Sequence, residues 1–246
     1  MTRLLSDLEL ILRQPGDDVR RVYERAAPRY AHFREAWLKV AGAGGEQAMQ
    51  HYLGEILAPG QRVLDAGAGT GAISRRVLAL EPGVQMTLLD LTPAMLAQAA
   101  DVPGEKVEGS VLDLPFADET FDVVVSGWVI ETVPDPRQAV AEYLRVITPA
   151  GYVLYTFCSL PDGWLSRAGS VLLRAAVGQG FAGKFLPDED IPWHDCERSR
   201  RARFHGGLAT FILLRKCCPV GAGVLPVAMD RVPPTPLGAA NRGGSG

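Results

Sequence analysis

The run VLDAGAGTGA at residues 63–72 constrains the fold of this 246-residue chain more than any other stretch. An apolar pair, Val63 and Leu64, leads into Gly67, Gly69 and Gly71, and Ala72, Ile73 and Ser74 then open a helical pattern. Glycines at such a corner let the backbone turn tightly and approach a ligand without Cβ interference, while the helix start offers free N–H groups. Downstream, short apolar runs alternate with helical segments: RVLDA, VQMTLLD, PAMLAQAA, FDVVVSG and GYVLYTF. That alternation predicts an α/β domain built on a mainly parallel sheet with both faces covered.

The flanks read differently. Leu4, Leu5, Leu8, Ile11 and Leu12 recur at helical spacing, a second helix is predicted after Pro15-Gly16 with Asp17 as N-cap, and a third over residues 30–40. Gly42, Gly44 and Gly45 are read as a break ahead of a short helix over residues 46–57. These segments define an N-terminal helical unit, 1–60, ahead of the α/β domain at 61–218; Pro- and Gly-rich residues 219–246 lack periodicity and read as a disordered tail. Asp7 and Glu9 interrupt the first apolar stretch, so it does not read as a signal peptide, and no run is long enough to span a bilayer. A net charge of -3 removes the global attraction for polyanions, which speaks against nucleic acid as a partner. Cys158, Cys196, Cys217 and Cys218 form no C-x-x-C pair and fit reduced thiols in the cytoplasm. His194, Cys196 and His205 invite a metal site, but His194, Asp195 and Cys196 are adjacent and too crowded for independent ligand geometry, so no metal is expected.

Two ligands remain open at the glycine corner. Gly67, Gly69 and Ala72 satisfy the G-x-G-x-x-A form used for NAD, which keeps an NAD-dependent oxidoreductase as an alternative. Asp65, two residues ahead of the first glycine, would repel a pyrophosphate and attract a cationic amino-acid group. Asp90, closing the next strand, suits a ribose with either ligand.

At this point the chain resembles the class I S-adenosylmethionine-dependent methyltransferases, through VLDAGAGTG (63–71), LLDLTPAML (88–96), GSVLDLPFADETFDVVVSGWVIETV (109–133) and LRVITPAGYVLYTF (144–157). It is most similar to the branch holding ubiquinone and menaquinone C-methyltransferases and phospholipid N-methyltransferases. The resemblance implies a Rossmann-like fold with a seven-stranded mixed sheet, its last strand, GLATFILLRK, antiparallel, and an N-terminal helical lid. It also implies S-adenosyl-L-methionine as cofactor. Asp65, Ala66, Gly67, Gly69, Thr70 and Gly71 would hold the methionine portion, Asp90 the ribose, and Leu91 and Met95 would pack near the adenosine. The family's usual Asp after the glycine of the third motif is Ser110 here, so adenine would be read by Ser110 and the Val111 backbone, with Asp113 as a substitute. Ser126 and Gly127 would meet the methionine part from the fourth strand, and Tyr30, with Tyr23 nearby, would contact the cofactor from the lid.

Methyl transfer is an in-line displacement, so the protein's tasks are alignment, exclusion of water and, where needed, proton removal. Trp128 is a candidate to stack on substrate or cover the sulfonium, with a core role as the alternative. Glu131 is a candidate general base or partner for a cationic amine, against a carboxylate at a helix start. Residues 158–205 are expected to carry substrate selectivity: Trp164, Leu165, Ala168, Val171, Leu172 and Ala175 form an apolar stripe that faces core, substrate or a membrane surface. Arg201 and Arg203 share one strand face and could pair with a substrate phosphate or carboxylate, or face solvent. The reading is methylation of a small molecule, lipid-like or quinone-like, with a catalytically inactive cofactor-binding scaffold as a further alternative; oligomeric state leaves no trace in the sequence.

Overall fold

A computed structural model describes residues 18–161, 170–171, 173–175, 177, 183–187, 191 and 198–216. The first predicted helix, the C-terminal tail and half of the 158–205 segment lie outside the described residues. The chain opens with α1 (Asp18–Ala26), a 3-10 turn (Ala27–Arg29) and α2 (Tyr30–Trp37), followed by a π-helical turn (Leu38–Gly42) and α3 (Ala43–Ile56). Then come β1 (Arg62–Ala66), α4 (Ala72–Leu80), β2 (Gln85–Asp90), α5 (Pro93–Ala97), β3 (Glu105–Glu108), β4 (Phe121–Gly127), α6 (Pro136–Val146), β5 (Ile147–Cys158), β6 (Arg198–Phe204) and β7 (Ala209–Arg215).

The seven strands form one sheet in the order β3-β2-β1-β4-β5-β7-β6. Pairings from β3 through β5 are parallel, and β7 runs antiparallel to both β5 and β6. The expected mixed sheet and antiparallel last strand are both present. Strand order reverses between β1 and β4, which leaves a crevice at their carboxyl ends. Alternation along the strands divides the core: Leu64, Val124, Val153 and Tyr155 pack with Tyr143 of α6 on one face, and Val63, Val123, Val125 and Leu154 pack with Met49 and Leu53 of α3 on the other. Burial on both faces explains why these strands read as continuous apolar runs.

The expected break at Gly42, Gly44 and Gly45 does not occur; the helix passes through that segment by way of the π turn. These glycines permit close approach. A Cβ on Gly44 would lie 2.4 Å from the Phe204 ring, and one on Gly45 would lie 3.3 Å from Thr156. Packing against β5 and β6 outweighs glycine's helix penalty of about 1 kcal/mol per residue. The sheet strand at residue 151 also starts earlier than its apolar run suggests: β5 begins at Ile147, with a register shift against β4 and Ala150 at φ 66°. Among the described residues no helix is long and apolar enough to cross a membrane.

Candidate active site

The glycine corner is fixed by hydrogen bonds from both sides. Gly67 and Ala68 donate to Leu89 O at 2.8 and 2.9 Å, and Gly69 N–H donates to Asp90 Oδ2 at 2.8 Å. Gly67 has φ 79° and its absent Cβ would lie 2.4 Å from Val129 Cγ2, so the turn needs glycine both for conformation and for space. Asp65 is fully buried, and its Oδ2 accepts from Ser74 N at 3.1 Å and Ser74 Oγ at 2.6 Å. A carboxylate therefore caps the start of α4, the place a dinucleotide pyrophosphate would use. Asp65 Oδ1 has no hydrogen-bond partner, and burial pushes this carboxyl up to about 6. An incoming ammonium group fits both facts. Asp90 Oδ1 accepts from Thr92 N at 2.9 Å; each oxygen keeps a second lone pair for a hydroxyl.

Around this corner lies a chamber of about 580 Å3 lined by Gly67, Gly69, Asp90, Leu91, Thr92 and Met95 on one side and Gly109, Ser110, Val111, Gly127 and Val129 on the other. Tyr23 and Tyr30 close it from the N-terminal helices. Ala66 and Ser126 stand behind the wall: Ser126 Oγ donates to Ala66 O at 2.8 Å and meets Tyr143 Oη at 3.0 Å. Gly71, at φ 75°, precedes α4, and Thr70 O accepts from Arg75 Nη1 at 2.6 Å. Asp113 is exposed and bridges to Ser110, on the outer side of its turn and away from the chamber lining.

A second chamber, of about 360 Å3, shares Tyr23, Tyr30, Trp128 and Thr132 with the first. Among the described residues, Arg34, Trp37, Glu131, Cys158, Val177 and Gly183 also line it. Trp128 holds φ 62°, an uncommon conformation for an aromatic residue. Its ring meets Trp37 edge-on at 5.5 Å, and the Tyr23 and Tyr30 rings meet at 5.9 Å. Glu131 is 2% exposed, five residues ahead of α6, so it is not a helix-start carboxylate. Its Oε1 accepts from Cys158 N at 3.2 Å, while Oε2 has no partner. Burial pushes the Glu131 carboxyl up to about 7, within the range of a base that works near neutrality.

Behind this chamber lies a cluster that sequence reasoning missed. Glu46 of α3 is 3% exposed and accepts from Arg34 Nη2 at 2.5 and 2.6 Å. Trp128 Nε1 donates to its Oε1 at 3.1 Å, and Arg76 Nη1 donates to its Oε2. Partners 12, 30 and 82 residues away leave no local signature. Arg201 and Arg203 sit on the outer strand β6, opposite Ile212 and Thr210. Arg203 Nη2 donates to Leu160 O at 2.5 Å and Gly207 O at 3.2 Å, so its guanidinium brackets two loop carbonyls. Neither arginine lines the two chambers.

Residues 64–155 match the family model described as a methyltransferase domain. The ubiquinone/menaquinone biosynthesis C-methyltransferase of Roseobacter denitrificans is 32% identical over 179 residues, covering 67% of this chain and 70% of that protein. The malonyl-[acyl-carrier protein] O-methyltransferase of Serratia marcescens is 33% identical over 161 residues, covering 62% of this chain and 61% of that protein. Among solved structures, a SAM-dependent methyltransferase of Thermotoga maritima, described as a possible histamine N-methyltransferase, shares the fold with a TM-score of 0.59 at 19% identity, over 80% of this chain and 99% of that one.

Proposed function

The chain belongs to the class I S-adenosylmethionine-dependent methyltransferases, in the branch of the ubiquinone/menaquinone C-methyltransferases, and from that membership we propose that it methylates a small molecule held in the smaller chamber. The observation that carries this reading is the shared wall of Tyr23, Tyr30, Trp128 and Thr132 between two chambers at the carboxyl ends of β1 and β4. The larger chamber takes S-adenosyl-L-methionine, which supplies an electrophilic methyl group on a sulfonium. Asp65, Ala66, Gly67, Gly69, Thr70 and Gly71 form the methionine end, aided by Ser126 and Gly127. The unpartnered Asp65 Oδ1 supports a cation at that end. Asp90 takes the ribose hydroxyls, Leu91 and Met95 pack on the adenosine, and Ser110 and Val111 read the adenine. Asp113, being outside the lining, serves by shaping the Ser110 turn.

Residues 18–37 act as the lid, since Tyr23, Tyr30, Arg34 and Trp37 all lie in the chamber walls. Trp128 orients the acceptor, Glu131 receives its proton, and the closed wall excludes water. An oxidoreductase reading loses its footing at Asp65, whose carboxylate already occupies the helix start.

The test is a calorimetric titration with S-adenosylhomocysteine. Asp90→Ala removes a carboxylate that holds Gly69 as well as a ligand hydroxyl, so affinity should fall by about 1.5–3 kcal/mol, roughly 10- to 150-fold. Unchanged affinity would take Asp90 out of the site, and a heat of binding with NAD but none with S-adenosylhomocysteine would refute the cofactor assignment.

A further inference from the structure

We propose that the acceptor is a small organic amine, recognised by an aromatic box of Tyr23, Tyr30, Trp37 and Trp128 and, among the described residues, by the Glu131 carboxyl, one oxygen of which has no partner. The inference rests on the reading of the smaller chamber as the acceptor site. Three features favour a cationic amine over a phenol, an enol or a carboxylic acid.

First, ring faces carry negative charge density, and boxes of such rings bind ammonium groups better than neutral groups of the same shape. Among the described residues, four of the ten that line this chamber are Tyr or Trp, and the two tryptophans are fixed against each other at 5.5 Å. Second, among the described residues the charges in the wall are matched on one side only. The Arg34 guanidinium, the positive group that would attract a substrate anion, is held by both oxygens of Glu46 at 2.5 and 2.6 Å. Glu131 Oε2, in contrast, is buried and unpartnered, and a buried carboxylate oxygen left so is costly until a donor reaches it. Trp37 Nε1, also unpartnered, lies against the π turn, where a Cβ on Gly42 would be 2.7 Å from it. Third, an anionic substrate would meet the Glu131 carboxylate as a like charge, whereas an ammonium gains an ion pair there.

The same groups serve the reaction. An ammonium has no lone pair to donate, so a proton must leave before attack; Glu131 accepts it. The amine nitrogen then forms a bond to the methyl carbon as the carbon–sulfur bond breaks and its electron pair returns to sulfur, leaving a neutral thioether. A methylated product cation remains matched to the rings, which are indifferent to the number of N–H donors.

Choline and its uncharged carbon isostere 3,3-dimethylbutan-1-ol are the probes, titrated by calorimetry into the protein alone and into protein saturated with S-adenosylhomocysteine. The expected result is choline binding at least tenfold tighter than the isostere, with the preference falling below twofold in Glu131→Gln. Tyr30→Leu, which removes one ring and keeps the carboxylate, should weaken choline at least threefold and leave the isostere unchanged. Equal binding of the two probes, absence of choline binding, or a full preference retained in Glu131→Gln would overturn the amine assignment. Failure of S-adenosylhomocysteine to bind would instead refute the reading of the larger chamber, and the titration of the protein alone would still decide this one.

Discussion

Glu131→Gln should lower kcat by about 10²- to 10⁴-fold, the usual worth of a positioned general base, while leaving S-adenosylhomocysteine affinity unchanged. The side chain keeps its shape and the Cys158 N–H still finds an acceptor, so loss of turnover without loss of cofactor binding isolates proton removal. The pH profile supplies a second reading. In the wild type kcat/KM should rise with pH through about 7, because the buried Glu131 carboxyl ionises there. The neighbouring Tyr23 and Tyr30 hydroxyls and the Cys158 thiol are all pushed up by burial, so none of them titrates in that window. In the variant the step near 7 disappears, and what is left is the ionisation of Asp65 at about 6. Stability should respond with a definite sign. Glu131 holds its proton in the folded state up to about 7 but loses it near its ordinary 4.5 when unfolded. Between those values the unfolded chain binds fewer protons, so the fold weakens as pH rises across the window. Glu131→Gln removes that penalty, and its Tm relative to wild type should be higher at pH ~8 than at pH ~5. An unchanged kcat, or an intact step near 7, would mean that another group takes the proton.

The second large effect is on stability. Glu46→Ala leaves the half-buried Arg34 guanidinium without its partner and strips Trp128 Nε1 and Arg76 of an acceptor. Removing one member of a buried ion pair costs about 3–5 kcal/mol, which for a domain of this size lowers Tm on the order of 10 °C. Asp101→Ala, which breaks the exposed pair with Arg75, should leave Tm where it is. The comparison by thermal unfolding separates a buried network from a surface contact. If both variants melted together with the wild type, Glu46 would carry no structural weight and the lid would be held by apolar packing alone.

The parts of the fold legible in the sequence are those written in neighbouring residues. The bounds of β1, β2 and β4 follow from apolar runs closed by Gly67, Asp90 and Gly127, because strands buried on both faces leave no polar interruption. The corner at 67–71 was legible because glycine at positive φ has few substitutes. Gly42, Gly44 and Gly45 read locally as a break in a segment that folds as helix, since local propensity says nothing of Phe204 and Thr156, which arrive from strands far along the chain to pack on Gly44 and Gly45. The Glu46 cluster was invisible for the same reason. Trp128 and Glu131 were found by their place after β4, yet only the folded chain reveals that Trp37 and Arg34 of the N-terminal helices share their chamber. Arg201 and Arg203 stand out in the sequence by their charge and their shared strand face, and the fold puts them on β6, with Arg203 holding loop carbonyls.

A crystal structure of the complex with S-adenosylhomocysteine tests the two-chamber arrangement most directly. The ligand should lie in the larger chamber with its ammonium group near Asp65, its ribose on Asp90 and its sulfur against the shared wall of Tyr23, Tyr30, Trp128 and Thr132, facing Glu131. A ligand bound with its sulfur turned away from that wall, or bound outside the crevice of β1 and β4, would contradict transfer between the two chambers.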